Sequence, residues 1–521
     1  MLLFDSPSLI ALNLELRLSM RRLLQDLCRE LQDDYAELAS QLAFPTDAVQ
    51  FLSRSLKAED LSNWKVVGWI ESLNDFVYFL DIWQQWRTES DRREFAEQLF
   101  AECQEKFFEN SYLDELFPKG KPQVSGLDSR LARLCKRLAQ DIAQEALWLD
   151  PAAATVWCRT CKVQQWNVPG SLAQNFEKAE EAGAVPLGVA GDQCEAPPSL
   201  KRVLTRAKGR AVFRVDETGI ALKVGRLLAP VWSAVGGQVQ WHWAVRPTAE
   251  VLCTSYGAVT VGSTLVYGKN RQPKKVVPTD PKQAARIRRA WETIQAAWPE
   301  GHEVLALLTS RIIPLNAKGV VSFSYRHRPG LSFINCFDRD NLDLIDDLIH
   351  ENSHHHLNLL LRKHVMYHGD HNQQIFYSPW RRSLRPLRGI LHATFTFTMG
   401  ALLFERLSSW AETKQGMKQW KAAGLTQRDL LRARFRCLEE IESVRYSIQD
   451  LEYAGGHLKW LTGSGARLVR QLEEHIGNAE ARIVRHREAV LRSTFGPALR
   501  RHIKELHQAR QVFGPVRLSE A

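Results

Sequence analysis

Apolar positions recur at helical spacing along most of this chain. Over residues 8–145, Leu12, Leu14, Leu16, Leu23, Leu24, Leu27 and Leu31 repeat at short intervals, and 64–86 and 95–108 continue the theme. This predicts a helical N-terminal unit over 1–145. Its aromatic stripe (Trp64, Trp69, Phe76, Tyr78, Phe79, Trp83, Trp86) reads as a packing core rather than a ligand box. From about residue 147 glycine, proline and β-branched residues become commoner, and 211–215, 220–224, 239–245 and 259–266 read as strands. Turns at Glu217-Thr218-Gly219 and Gly236-Gly237 separate them, so 146–275 is expected to hold a small antiparallel sheet. Asp280-Pro281 is a good N-cap followed by proline in the first helical position, opening a helix over 280–298. Two apolar runs follow at 304–308 and 312–315. The stretch 319–325 then alternates like a strand, and 331–336 reads as another short one.

The next stretch, 341–362, carries the clearest chemistry. Leu344, Ile345, Leu348, Leu357, Leu359, Leu360 and Leu361 run through it, Asp343, Asp346 and Asp347 sit where a helix dipole favours negative charge, and no proline or glycine interrupts it. Within it stands His350-Glu351-Asn352-Ser353-His354. Two histidines four apart on a helix project from one face, so both rings can meet one metal ion. His355 and His356 fall off that face by the helix period and are expected at the surface or behind the ligands; His364 is too far along to reach the ion.

The third ligand decides the class of site. Leu357 and Leu360 occupy the places where metzincins carry glycine and histidine, and no glutamate stands between Glu351 and Glu405. Beyond a loop, a helix over 389–407 bears His392 in its first turn, the best-placed third ligand, with Asp370 and Glu405 in reserve. Arg381, Arg385 and Arg388 precede it. Guanidinium forks suit bidentate carboxylate recognition. A zinc peptidase needs a general base and an oxyanion donor, not such clamps, whereas an iron oxygenase using 2-oxoglutarate needs a basic residue for the distal carboxylate of the keto acid.

The remaining chain, 411–521, is helical and strongly charged. Residues 430–451 and 466–494 are expected to form an antiparallel pair joined through Gly455-Gly456 and Gly463 to Gly465, their charges forming solvated faces, with dimerisation or docking as the alternative role. The whole therefore reads as α+β and predominantly α-helical: a helical N-terminal unit (1–145), a strand-containing region (146–275), a helical metal-binding core (276–410) and a charged helical C-terminal extension (411–521).

Composition changes this picture little. An apolar fraction of 45% and a charged fraction of 25% are those of a globular protein, and no apolar run in the sequence is long enough to span a bilayer. The N-terminus lacks a signal-peptide pattern, and nine scattered cysteines do not resemble a disulfide framework, so a cytoplasmic setting is expected. Cys158 and Cys161 form one CxxC without a second, which reads as structural. A net charge of +10 comes from clusters at 202–210, 269–275, 381–388 and 500–504, without any nucleic-acid-binding signature. An acidic peptide or small dianion fits that charge, and nucleic acid is not the expected partner.

Two blocks carry a family resemblance. RHRPGLSFINCFDRDNLDLIDDLIHENSHHHLNLLL and YSPWRRSLRPLRGILH resemble, in order and spacing, the paired motifs of the HExxH-motif peptide-modification proteins of ribosomally made peptide pathways. The likeness covers roughly 318–410, with a faint echo from 148 onward. Arg382 and Ser383 replace a more acidic pattern, and Phe397 stands where some members have histidine. The resemblance implies an Fe(II)- and 2-oxoglutarate-dependent dioxygenase that hydroxylates a side-chain β-carbon in a precursor peptide, with other peptide-maturation enzymes as further partners. Fe(II) would be bound by His350, His354 and His392, the distal carboxylate by Arg385, failing it Arg381, and Glu351 would orient a ligand or the substrate. The alternatives are a zinc-dependent peptidase with Glu351 as general base, and a non-catalytic peptide-binding scaffold.

Overall fold

A computed structural model of the chain describes residues 4–107, 111–149, 164–167, 184–187, 192–195, 211–216, 218–235, 238–246, 250–268, 271 and 273–514. The CxxC at Cys158 and Cys161, the basic cluster at 202–210, Glu217, Gly236-Gly237 and most of the stretch following residue 148 lie outside them. The fold is mostly helical, with small antiparallel and mixed sheets. The chain divides into two compact units: Met1–Leu16, Thr248–Pro273 and Val277–Ala521 make the first, Arg17–Pro247 and Lys274–Val276 the second.

In the second unit the helices Trp64–Thr88 and Leu127–Leu149 pack on each other. The aromatic stripe is core, as its spacing suggests: Trp69, Phe76, Phe79, Trp83 and Trp86 are buried. The Trp69 indole N–H reaches the Ile142 carbonyl at 3.1 Å, so a large apolar ring is buried without orphaning its donor. An antiparallel sheet runs Gln164–Asn167, Ala211–Asp216, Gly219–Val224, Leu227–Val235, Gln238–Trp241 in spatial order. The run expected at 239–245 is two strands, Gln238–Trp241 and Ala244–Arg246, which join different sheets.

The first unit builds the surroundings of the HExxH stretch. Its sheet centres on Arg311–Asn316, which pairs in parallel with Leu331–Asn335 on one side and with Gly257–Val261 and Thr264–Tyr267 on the other. The short strand Phe323–Ser324 lies antiparallel against Leu331–Asn335 at the sheet's edge. Only these two residues of 319–325 are strand: Gly319 turns the chain with a positive φ of 67°, and Val320 and Ser322 then accept the Asn335 side-chain and backbone N–H groups in place of a ladder. The apolar run at 304–308 belongs to a helix, Pro299–Leu308, opened by proline, and Asp280 caps the helix Pro281–Ala297 as its sequence predicts.

Three long helices complete the unit. The HExxH helix, Asn341–Lys363, packs on the His392 helix, Leu387–Ala411, which packs most extensively on a third, Gln427–Gly456. The His392 helix is the only one among the described residues long and apolar enough to cross a membrane, and 72% of its most apolar window is buried inside the protein. Gln427–Gly456 and Gly463–Ile483 are consecutive and pack together, but their charges are not all solvated. Glu440, Ser443, Ser447 and Asp450 are buried, Glu440 and Asp450 paired with Arg436 and Arg510. Helical spacing alone does not distinguish a charge facing water from one facing a buried partner.

Candidate metal centre

The HExxH helix begins where its sequence stops competing with the backbone. Asp340 accepts the Asp343 N–H at 3.0 Å, and Asp343 accepts the Asp340 N–H at 3.1 Å, a reciprocal cap that satisfies two otherwise orphaned donors. Four-residue spacing then sets Asp346, His350 and His354 along one face. The His350 and His354 ring centres lie 5.1 Å apart. Two imidazoles on one ion, with metal–nitrogen bonds of about 2.0–2.1 Å, hold their centres about 5 Å apart. The two ring centres therefore stand at the separation that two imidazoles on one ion would have.

His392, in the second turn of its helix, faces this pair across the helix packing, with its ring 6.3 Å from that of His354. Among the described residues no three His, Cys, Asp or Glu side chains are drawn to ligand distance of a single point. What is gathered is the His350–His354 pair with His392 beside it. The other two candidates lie elsewhere. Glu405 is fully buried and paired with Arg482 at 2.9 Å, and thirteen residues of helix set it about 20 Å from His392 along the axis. Asp370 is exposed in the turn after the HExxH helix.

The imidazoles suit metal binding electronically. Burial holds His350 below the ordinary histidine value; Asp346 opposes this, while Arg436 and Arg381 add to it. Burial likewise holds His354 well below that value, with His350, His392 and His355 contributing. Both rings are neutral at pH 7, with a lone pair available to an ion. The residues present thus fit a divalent metal.

Glu351 turns from the histidine face toward the sheet. It is 3% exposed, accepts the Ser324 hydroxyl at 2.8 Å, and burial lifts its carboxyl to about 8. One turn earlier Asp347 accepts the Ser322 hydroxyl at 2.6 Å. Residues two apart in an extended segment and carboxyls four apart on a helix advance by about the same 6–7 Å, so the segment that enters the edge strand runs alongside the helix. His355 and His356 are not surface residues. His355 pairs with Ser332 at 3.1 Å and His356 lies edge-on to Phe395; burial pushes both down to about 4.

The arginines separate by role. Arg381 and Arg385 ride on a hairpin of Phe376–Ser378 and Ser383–Arg385 that leads into the His392 helix, whose first turn carries Arg388. Arg381 is close enough for its charge to act on His350. Arg388 stands one turn before His392 on the same helix face, and its charge reaches Tyr367. Arg385 is exposed on the hairpin, and Arg382 is paired with Glu505 at 3.0 Å.

Residues that the spacing arguments passed over surround His350. Phe397 lies against its ring at 5.2 Å, and Trp380 stacks flat on Phe397 at 4.3 Å. The Trp380 indole donates to Glu440 at 2.8 Å, and Arg436 bridges Glu440 at 2.8 Å and Asp346 at 3.7 Å. The serines at 322 and 324 had a legible signal, two hydroxyls on one face of a strand; the Trp380–Glu440 contact, 60 residues apart, had none. No protein-family model matches the chain, and no curated protein matches it.

Proposed function

We propose that this protein is a metal-dependent peptide hydroxylase, with Fe(II) held by His350, His354 and His392 and with 2-oxoglutarate as co-substrate. The observation that carries the reading is the neutral His350–His354 pair with the His392 ring beside it, next to arginines on the segment leading into the His392 helix. When bound, iron and the keto acid would supply the oxidising power to break a substrate C–H bond, which no side chain here can supply alone.

The chain's own residues bind and orient. His350 and His354 offer lone pairs from one rigid helix face, and His392 approaches from a second helix, leaving open positions of the kind a facial ligand set provides. Arg381, whose charge acts on His350, and Arg388, half-buried one turn before His392, are favoured over the exposed Arg385 for the distal carboxylate, since a guanidinium fork must stand beside the ion to reach a bound keto acid. Glu351, held by Ser324 away from the histidine face, orients rather than ligates. The edge strand Phe323–Ser324 offers backbone groups to an extended peptide alongside the helix, the mode in which a strand adds to a sheet. Ribosomally made precursor peptides are the substrate class this reading takes from the sequence resemblance, and a cytoplasmic setting accords with the six cysteines free among the described residues, five of them buried.

A zinc peptidase is the second reading, favoured by one observation: a carboxyl in the HExxH position beside an antiparallel edge strand, where Glu351 could act as general base. Anaerobic reconstitution with Fe(II), followed by 2-oxoglutarate and O2 with and without candidate peptide, separates the two. The hydroxylase reading expects succinate and a peptide heavier by one oxygen. Peptide cleavage with zinc and no succinate under any condition would replace it.

A further inference from the structure

The His350 imidazole is bracketed by a chain of side chains that reaches from one helix to another. One turn before it, the Asp346 carboxylate faces Arg436 at 3.7 Å. The Arg436 guanidinium also grips Glu440 at 2.8 Å and Glu439 at 3.3 Å, and lies 5.8 Å from the Phe404 ring centre. Glu440 is 2% exposed, and its second oxygen accepts the Trp380 indole N–H at 2.8 Å. Trp380 is parallel to Phe397 within 5°, and Phe397 meets the His350 ring at 65°. A carboxylate buried this deeply costs stability unless paired, and an apolar pair would fill the same space without that cost. The chain ends on two sides of one imidazole, and Trp380 is the residue immediately before Arg381.

We propose that Trp380, Glu440, Arg436 and Asp346 are positioning residues that hold the His350 ring and the arginine segment in the geometry that receives the ion. The proposal rests on the metal reading above. An aromatic contact alone leaves Phe397 and His350 free to slide. The directed N–H···O bond to a buried carboxylate fixes Trp380, Trp380 fixes Phe397, and Arg436 ties the same carboxylate to the helix turn that carries the ligand. Residues that orient ligands in this way typically change metal affinity by about 10–100-fold when altered.

The test is titration of chelator-treated full-length protein with Co(II), followed by visible absorption, in parallel with thermal unfolding of the metal-free protein. Trp380→Phe keeps a ring on Phe397 and removes one N–H; Arg436→Lys keeps charge but not the two-sided fork. Both are expected to weaken Co(II) binding roughly ten-fold or more, and Trp380→Phe also lowers the metal-free melting temperature, because a buried Glu440 oxygen loses its donor. Arg445→Gln, on the helix that carries Arg436, breaks a surface pair with Glu480 of the next helix; it is the control and leaves affinity unchanged. The proposal is overturned if Trp380→Phe and Arg436→Lys bind Co(II) as tightly as the parent, or if Gly465→Ala, which strains the Met366 carbonyl and not this network, lowers Co(II) affinity as much for the same loss of metal-free melting temperature. Parent protein that binds no Co(II) would instead remove the metal reading itself, and this proposal with it.

Discussion

Ser324 donates a 2.8 Å hydrogen bond to the buried carboxyl of Glu351, and this contact joins the edge strand to the HExxH helix beside the histidines. It holds a group that burial makes costly: burial pushes the Glu351 carboxyl up to about 8 even with the Ser324 hydroxyl acting to lower it. Ser324→Ala should therefore destabilise the metal-free protein by about 1–3 kcal/mol, the cost of leaving a buried polar group without its partner. Urea unfolding at pH 7 measures this. A change below a few tenths of a kcal/mol would mean that Glu351 finds another partner.

The buried pair His355 and His356 makes the fold acid-sensitive. Their folded values are about 4, against an ordinary 6.5, and burial is the first cause for both. Between those values the unfolded chain takes up protons that the folded chain refuses. Stability is thus fully present above about pH 6.5 and is lost as pH falls toward 4, by about 3 kcal/mol per histidine. The Nε2 of His356 has no hydrogen-bond partner among the described residues, so His356→Leu should remove about one proton's worth of this slope. Denaturation midpoints at pH 4.5, 5.5 and 6.5 in metal-free protein check it; an unchanged slope would count against the burial assignment.

Gly465 is required by a close approach rather than by flexibility. A Cβ there would stand 2.1 Å from the Met366 carbonyl, on the segment that leaves the HExxH helix, and Thr462 N–H donates to that same carbonyl at 3.0 Å. Gly465→Ala must push the segment away. The expected loss is about 1–3 kcal/mol, read by thermal unfolding, whereas Gly477→Ala, with open space around its Cβ, should be neutral or slightly stabilising.

The arginines should divide in kinetics as they do in the fold. Arg381→Gln and Arg388→Gln are each expected to raise the KM for 2-oxoglutarate by about 10–100-fold, the worth of one charge-assisted contact. Arg382→Gln, whose partner is Glu505, should leave that KM within about two-fold while costing little stability, since the pair is exposed. Succinate formation at varied keto acid concentration distinguishes them. Equal effects at 381, 382 and 388 would argue for a diffuse field rather than a clamp.

Much of this site was legible because it is local. Asp340 and Asp343 cap a helix whose histidine spacing needs no tertiary information, and Asp280-Pro281 opens its helix for the same reason. Legibility ended where partners are distant. The sequence around Glu440 alternates charge with leucine as a solvated helix does, and nothing nearby announces that Trp380 will cover it. His355 and His356 follow the helix period off the ligand face, but that face meets packed side chains instead of water. The run at 319–325 alternates like a strand, yet after the left-handed turn at Gly319 only Phe323–Ser324 joins a ladder.

One ion held by His350 and His354, with His392, is the proposal on which the oxygenase reading depends. Its most direct test is anaerobic titration of metal-free protein with Fe(II), reading bound iron per chain by equilibrium dialysis. One ion per chain is expected, lost in His350→Ala and in His354→Ala, weakened in His392→Ala and unaffected in His364→Ala. Iron bound equally well after His350→Ala, or no iron bound by the parent protein, would contradict it.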